Sequence, residues 1–453
     1  MKLRYYIALW VGKLCYYGLK LFKRQASQHP GYLALKICPD FLSIAKKPNI
    51  CIAVTGTNGK TTVNNLLTDA LLLSGYKVVS NRAGANVDSG CATNLINSLT
   101  FLGQSKVDAI LFEVDERYSR FILPAILPDY LVVTNLFRDS LKRNSNPDAI
   151  FEILDTYCPT KTKLILNADD LGSCFLKENQ ERTYYSVVKT TNEDVYKNII
   201  FDNSLCPVCH TPLEYNYRHY HHIGQAYCPA CDFKSPQSKV TGLEINADNQ
   251  TLLVSIDNQK VTFPLLSETI FNVYNQVAVI TTLQQLGISV PDIQKLFTKL
   301  SLPSSRLNQT TINGVTITQA MSKGQSAVSS CRTFDFVSQQ PGNKIIILAL
   351  DDAYDRKNSV EYWGWIYDVD YELLNHDSIK KVIATGPRYL DHQVRLLLAG
   401  LPEDKILCIN DELSVDKYID FTDVDSVYIL YDTSTFGISS SIKKLLTKRL
   451  EEL

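Results

Sequence analysis

The chain has 453 residues, with 46 basic and 47 acidic side chains, a formal charge of −1, and a composition that is 45% hydrophobic and 21% charged. That length accommodates roughly two to four domains with their own cores, and the composition excludes extended disorder and collagen-like chains. The even balance of charge gives no global electrostatic reason for a nucleic-acid partner, and none is expected.

The first apolar stretch, Tyr5 to Phe22, is interrupted by Lys13 and Lys20 and flanked by Lys2, Arg4, Lys23 and Arg24. It is too broken for a span of about 20 apolar residues, and no small-residue cleavage site follows it. Two readings stay open: an amphipathic helix covering a domain, and a basic helix that touches a membrane. From residue 49 onward, strand-length apolar runs alternate with helical stretches. Ile50–Val54, Lys77–Val79, Ala109–Phe112, Tyr130–Val133 and Lys163–Leu166 are expected strands, and Val63–Ser74 an expected helix. This is the signature of a doubly wound parallel α/β domain. Between about 199 and 265 the texture changes to turns, aromatics, cysteines and alternating strand residues, followed by a helix over Phe271–Leu286. A joint at Leu302-Pro303-Ser304-Ser305-Arg306 precedes a second α/β alternation, with strands at Lys344–Leu350, Lys381–Ala384 and Val427–Leu430. The expected division is an N-terminal helical segment (1–48), a central P-loop domain (49–302) with an insertion at about 204–236, and a C-terminal Rossmann-like α/β domain (303–453).

Between the first strand and its helix lies Thr55-Gly56-Thr57-Asn58-Gly59-Lys60-Thr61-Thr62. Glycines let the backbone N–H groups turn inward, and the helix N-terminus adds partial positive charge, so the loop suits a polyphosphate. Lys60 is placed to reach the β- and γ-phosphates of ATP, and the Thr61 hydroxyl to ligate Mg²⁺. Val54 stands where the usual pattern has its first glycine, so the loop is a variant. Glu113-Val114-Asp115-Glu116 follows a neighbouring strand, and Glu113, the first carboxylate after it, is the expected magnesium ligand.

Eight of the twelve cysteines are scattered singly, as in a protein of a reducing compartment, and a cytoplasmic location is expected. The other four form Cys206-Pro-Val-Cys209, eighteen residues, then Cys228-Pro-Ala-Cys231. Two such knuckles at that spacing place four thiolates tetrahedrally and suit a structural Zn²⁺. Because four cysteines complete the shell, the nearby His210, His219, His221 and His222 are expected as surface or stacking groups. Further on, Asp351, Asp352 and Asp355 follow a strand; such carboxylates orient a histidine, bind a metal or solvate a loop.

The run Thr-Gly-Thr-Asn-Gly-Lys-Thr resembles the ATP loop of the Mur ligases and folylpolyglutamate synthases, which form amide bonds through an acyl phosphate. Thr134–Asp139, Val273-Tyr274-Asn275 and Arg306 resemble the same family. With the cysteine module, Pro30–Ile37, Asn81–Asn86, Tyr217–Tyr220, Gly386-Pro387-Arg388 and Asp432–Thr435, the likeness narrows to the synthetase subunits of lipid II isoglutaminyl synthase. The resemblance implies a Mur-type ATP-binding domain with an inserted zinc ribbon, and MgATP held between the central and C-terminal domains. It implies that Asn275 and Arg306 hold the nucleotide and that Lys323 assists the transferred phosphoryl group. It implies amidation of the D-glutamate α-carboxylate of the lipid II stem peptide, using ammonia from a GatD-like class I glutaminase partner. An aspartate of the C-terminal domain, Asp355 with Asp352 and Asp368 as rivals, would complete that partner's Cys–His pair. A lipid-linked substrate implies work at the inner face of the cytoplasmic membrane. A stand-alone ligase of the Mur or folylpolyglutamate type, and an ATP-dependent module whose ribbon docks nucleic acid, are the alternatives.

Overall fold

The computed structural model describes residues 2–82, 85–138, 146–189, 198–302, 307–322, 325–351 and 363–453. Arg306, Lys323, Asp352 and Asp355 lie outside the described residues. The chain divides into two compact units, the first built mainly from residues up to 303 and the second mainly from residues 304–453.

The first unit begins with three helices, α1 (Lys2–Leu21), α2 (His29–Ile37) and α3 (Phe41–Ile44). Alternation follows: β1 (Ile50–Thr55), α4 (Lys60–Leu73), β2 (Val78–Ser80), α5 (Asp88–Ser98), β3 (Ala109–Glu113), α6 (Ser119–Ile126), β4 (Tyr130–Val133), α7 (Pro147–Tyr157), β5 (Lys163–Asn167) and β6 (Arg182–Val187). A hairpin of β7 (Glu214–Tyr220) and β8 (Ile223–Tyr227) precedes β9 (Val240–Asn246), β10 (Thr251–Ile256), β11 (Gln259–Pro264), α8 (Ile270–Gln285) and α9 (Val290–Phe297). Nine strands form one sheet in the order β11-β10-β9-β6-β5-β4-β1-β3-β2. Pairing is parallel from β2 across to β9 and antiparallel at the β9-β10-β11 end. Strands β1, β3 and β4 are buried on both faces along nearly their whole length, as central parallel strands covered by helices must be, whereas β2 at the sheet edge is half-buried.

One face of α1 covers this core. Tyr5, Ala8, Leu9 and Gly12 are buried, and a Cβ at Gly12 would come within 2.6 Å of Ile96 Cδ1. Beside them Lys13 sends its ammonium to the carbonyls of Ile96 (2.9 Å) and Leu99 (2.6 Å), at the C-terminus of α5. A cation there meets the carbonyl end of a helix, where partial negative charge collects. Burial, with Lys106 nearby, pulls that ammonium down to about 8. No described helix is long and apolar enough to cross a membrane.

The second unit has β12 (Leu307–Ile312), β13 (Val315–Met321), α10 (Ala327–Gln339), β14 (Lys344–Ala349), β15 (Ile379–Thr385), α11 (Tyr389–Leu398), β16 (Ile406–Ile409), β17 (Ser426–Tyr431) and α12 (Phe436–Glu451). Its six-stranded sheet runs β12-β13-β17-β14-β15-β16, parallel except for β12. Ile317, Ile347, Ile383, Val427, Ile429 and Leu446 form the centre of its own core.

Candidate nucleotide site and thiolate cluster

The loop from Gly56 to Gly59 leaves the buried end of β1 and enters α4 directly at Lys60, three residues before the expected helix start at Val63. Gly56 (φ 124°) and Gly59 (φ 87°) lie where side chains are strained. A Cβ on Gly59 would stand 2.3 Å from Asn275 Oδ1, so the glycine also admits α8 to the loop.

The segment after β4 holds the loop in shape. The Thr57 N–H donates to Asn135 O (2.8 Å), and the Asn58 N–H donates to Asn135 Oδ1 (3.0 Å). The carbonyl of Asn58 accepts from Thr134 Oγ1 (2.6 Å) and Asn135 Nδ2 (3.1 Å). Thr57 Oγ1 accepts from the Phe137 N–H (2.9 Å). Thr134–Phe137 is thus the clamp that presets the loop's backbone.

Glu113, the last residue of β3, and Asp115 and Glu116 just beyond it are all buried, so none is a solvated loop group. Glu113 Oε1 accepts from the Thr61 hydroxyl at 3.1 Å, and Asn81 brackets the Glu113 backbone through both its N–H and its carbonyl (2.8 Å each). Glu113 Oε2 is buried and has no hydrogen-bond partner among the described residues. Burial pushes this carboxyl up, against Lys60, Thr61 and Asn86, which pull it down. An orphaned carboxylate oxygen beside a threonine hydroxyl fits a hard, oxygen-liganded cation such as Mg²⁺. Lys60 pairs with Glu116 Oε1 at 2.9 Å and also donates to Gly56 O. Burial pulls its ammonium down, but Glu116, Glu113 and Asp115 together hold it above its ordinary range.

The four thiols Cys206, Cys209, Cys228 and Cys231 converge so that their sulfurs lie within 4.8 Å of one another. Separations of 3.6 Å (Cys206–Cys231), 3.4 Å (Cys209–Cys228) and 3.6 Å (Cys209–Cys231) come close to the edge of a tetrahedron with metal–sulfur bonds of about 2.3 Å. The Val208 and Ala230 N–H groups point at the Cys206 and Cys228 sulfurs (3.4 Å each), as knuckle turns do. The residues fit Zn²⁺ with no ligand position left for substrate.

Two of the four neighbouring histidines are not surface groups. The β7–β8 hairpin turns at His221-His222 and drives its tip inward: Tyr220 is 6% exposed, His221 1% and His222 0%. His222 Nε2 meets Asp170 Oδ1 at 2.8 Å, and Asp170 Oδ2 accepts from the Leu136 N–H at 2.8 Å, inside the clamp on the nucleotide loop. The His222 ring lies 4.5 Å from that of Phe137, and Tyr220 packs between Phe137 (6.0 Å) and Phe271 of α8 (4.4 Å). Next door, Asp169 accepts from Tyr274 (2.7 Å), Tyr217 (2.9 Å) and the Val187 N–H (3.0 Å). The ribbon is therefore built into the wall of the loop. His210, by contrast, is exposed.

In the second unit, Asp351 is buried at the end of β14, where it accepts from the Arg388 N–H (2.9 Å). Its carbonyl accepts from Ser434 Oγ (3.1 Å), in the Asp432–Thr435 turn that opens α12. Asp368 is one-third exposed and stands 3.7 Å from Arg138.

Residues 54–212 match the Mur ligase middle domain and residues 327–435 the MurT ligase C-terminal domain. The chain is 28% identical to a lipid II isoglutaminyl synthase (glutamine-hydrolyzing) subunit MurT of Staphylococcus aureus, over 88% of each chain. It is 27% identical to the protein of that name from Streptococcus pneumoniae, over 99% of this chain and 98% of the other. Among solved structures, a pseudomurein peptide ligase type C from Methanothermus fervidus superposes with a TM-score of 0.65 at 19% identity, covering 90% of this chain and 80% of its own.

Proposed function

We propose that this chain, a Mur-ligase-like protein of the MurT kind, is the synthetase subunit of a lipid II isoglutaminyl synthase. It is a ligase that uses ATP to amidate the D-glutamate α-carboxylate of the lipid II stem peptide. One observation carries the reading: a P-loop with its Glu113–Thr61 pair and a four-thiolate ribbon share one Mur-type domain, and a MurT-type unit follows.

The γ-phosphoryl group passes from ATP to a carboxylate oxygen, giving an acyl phosphate and ADP. Ammonia then attacks the carbonyl carbon, phosphate leaves with the C–O bond, and the nitrogen loses a proton to give D-isoglutamine. Such chemistry needs positioning and charge stabilisation more than a nucleophile from the protein. The backbone N–H groups of Gly56 to Thr62 would cradle the phosphates, and Lys60 would neutralise their charge. Thr61 and Glu113 would hold Mg²⁺, which supplies charge neutralisation at the transferring group. Asn275 would touch the nucleotide from α8, and Arg306 and Lys323 would act on its phosphates. Cys206, Cys209, Cys228 and Cys231 would hold a structural Zn²⁺. The ammonia would come from a GatD-like class I glutaminase, with Asp355 or Asp352 as the third member of its triad.

The test is amidation of lipid II with ATP and glutamine, with and without the glutaminase, and with an ammonium salt replacing glutamine. Product from glutamine only when both subunits are present, and from ammonium with this chain alone, is the expected result. No amidated product under any pairing would overturn it. Condensation of an amino acid in place of ammonia would favour the stand-alone ligase.

A further inference from the structure

The face of α1 turned away from the core is apolar. Leu3, Ile7, Trp10, Leu14, Tyr17 and Leu21 are all exposed, Leu14 and Leu21 by 76% and 79%. Their spacing of four, three, four, three and four residues places them on one stripe about 80° wide at about 3.6 residues per turn. The stripe continues onto the loop after α5: Phe101 and Leu102 are exposed, Trp10 Nε1 donates to Phe101 O (2.9 Å), and the Tyr17 and Phe101 rings stack at 6.4 Å. An exposed apolar surface of this continuity marks an interaction site.

Its charge identifies the occupant. Residues 2–39 contain Lys2, Arg4, Lys13, Lys20, Lys23, Arg24 and Lys36 and no acidic residue, in a chain whose net charge is −1. Lys2 and Lys20 border the stripe on one side and Arg4 on the other, all exposed. A second copy of this chain docking symmetrically would set one basic face against another, which repels. A helix with an apolar face, a tryptophan and tyrosine on it and lysines at its margins suits the boundary between acyl chains and anionic headgroups. We propose that α1 with the Phe101-Leu102 loop docks this protein on an anionic phospholipid surface, lying parallel to it. The proposal rests on this surface alone and holds whatever reaction the nucleotide site performs.

The experiment is co-sedimentation of the full chain with vesicles of phosphatidylglycerol and phosphatidylcholine in equal parts, and with pure phosphatidylcholine. Expected are binding to the anionic vesicles, at least ~10-fold weaker partitioning onto the neutral ones, and loss of binding between about 0.1 and 0.5 M salt. Leu14→Glu with Leu21→Glu should abolish binding, and Lys20→Glu with Lys23→Glu should weaken it by about 10-fold or more. All four positions are exposed, so circular dichroism and melting should match the unaltered chain. Failure of the unaltered chain to bind anionic vesicles at low salt, or full binding by the leucine variant, would overturn the proposal. Loss of vesicle binding when the glutaminase is added would also overturn it, assigning the face to that protein.

Discussion

Glu113 carries one committed and one orphaned carboxylate oxygen, and that asymmetry makes it the residue most sensitive to a small change. Glu113→Gln keeps the shape and removes the charge. Amidation should fall by about 100-fold or more, while metal-free ADP binding, followed by calorimetry, should stay within about threefold. Asp169 gives a different signature. Burial pushes its carboxyl up to about 6, despite hydrogen bonds from Val187, Tyr274 and Tyr217 that pull it down. The unfolded chain's carboxyl titrates near its ordinary 3.8, so between the two values the folded state holds the extra proton. This group's contribution to stability is then complete below about 4 and is lost as pH rises through about 6. Over that window it amounts to about 3 kcal/mol. Asp169→Asn should flatten the change in melting temperature between about pH 4 and pH 7, as read by calorimetry across that range. Glu113 was legible in the sequence as the first carboxylate after a buried strand. Asp169 was not, because its three partners come from three separate stretches of chain.

At the scale of elements, the hairpin β7–β8 links the thiolate cluster to the nucleotide loop through His222, Asp170 and the Leu136 N–H. Asp170→Asn should leave metal content unchanged by atomic absorption. It should weaken ADP binding by about 10-fold, and lower stability by about 1–3 kcal/mol, because buried donors lose a charged acceptor. If ADP affinity is unaltered, the hairpin does not shape the loop. The strands were plain from their apolar runs, and the knuckles from cysteine spacing. The inward turn of the hairpin tip was hidden, because a histidine beside a complete set of four cysteines reads as a surface or stacking group, and nothing local tells the two apart. Only the fold brings His222 to Asp170, 52 residues earlier.

For the whole molecule, each unit has its own sheet and core, and the thiolates belong to the first. A structural metal adds its binding free energy to the unit that holds it. Removing it with a chelator should lower the melting of the first unit by several degrees and leave the transition of the second where it was. Scanning calorimetry with and without chelator separates the two. A joint shift of both transitions would mean that the units unfold as one.

The order of synthesis gives the clamp another meaning. Gly56–Thr62 leaves the ribosome well before Asn135, His222 and Asn275, whose side chains hold or buttress that loop. Strand β6 likewise waits for β9, with the ribbon made in between. Closing contacts so distant along the chain is slow and leaves partly formed sheet edges open meanwhile. If the four thiolates hold a structural metal, a nascent chain that has not yet captured it would finish the nucleotide loop more slowly. Shortage of the ion during translation would then lengthen the time each new chain takes to become competent, before any effect on finished protein.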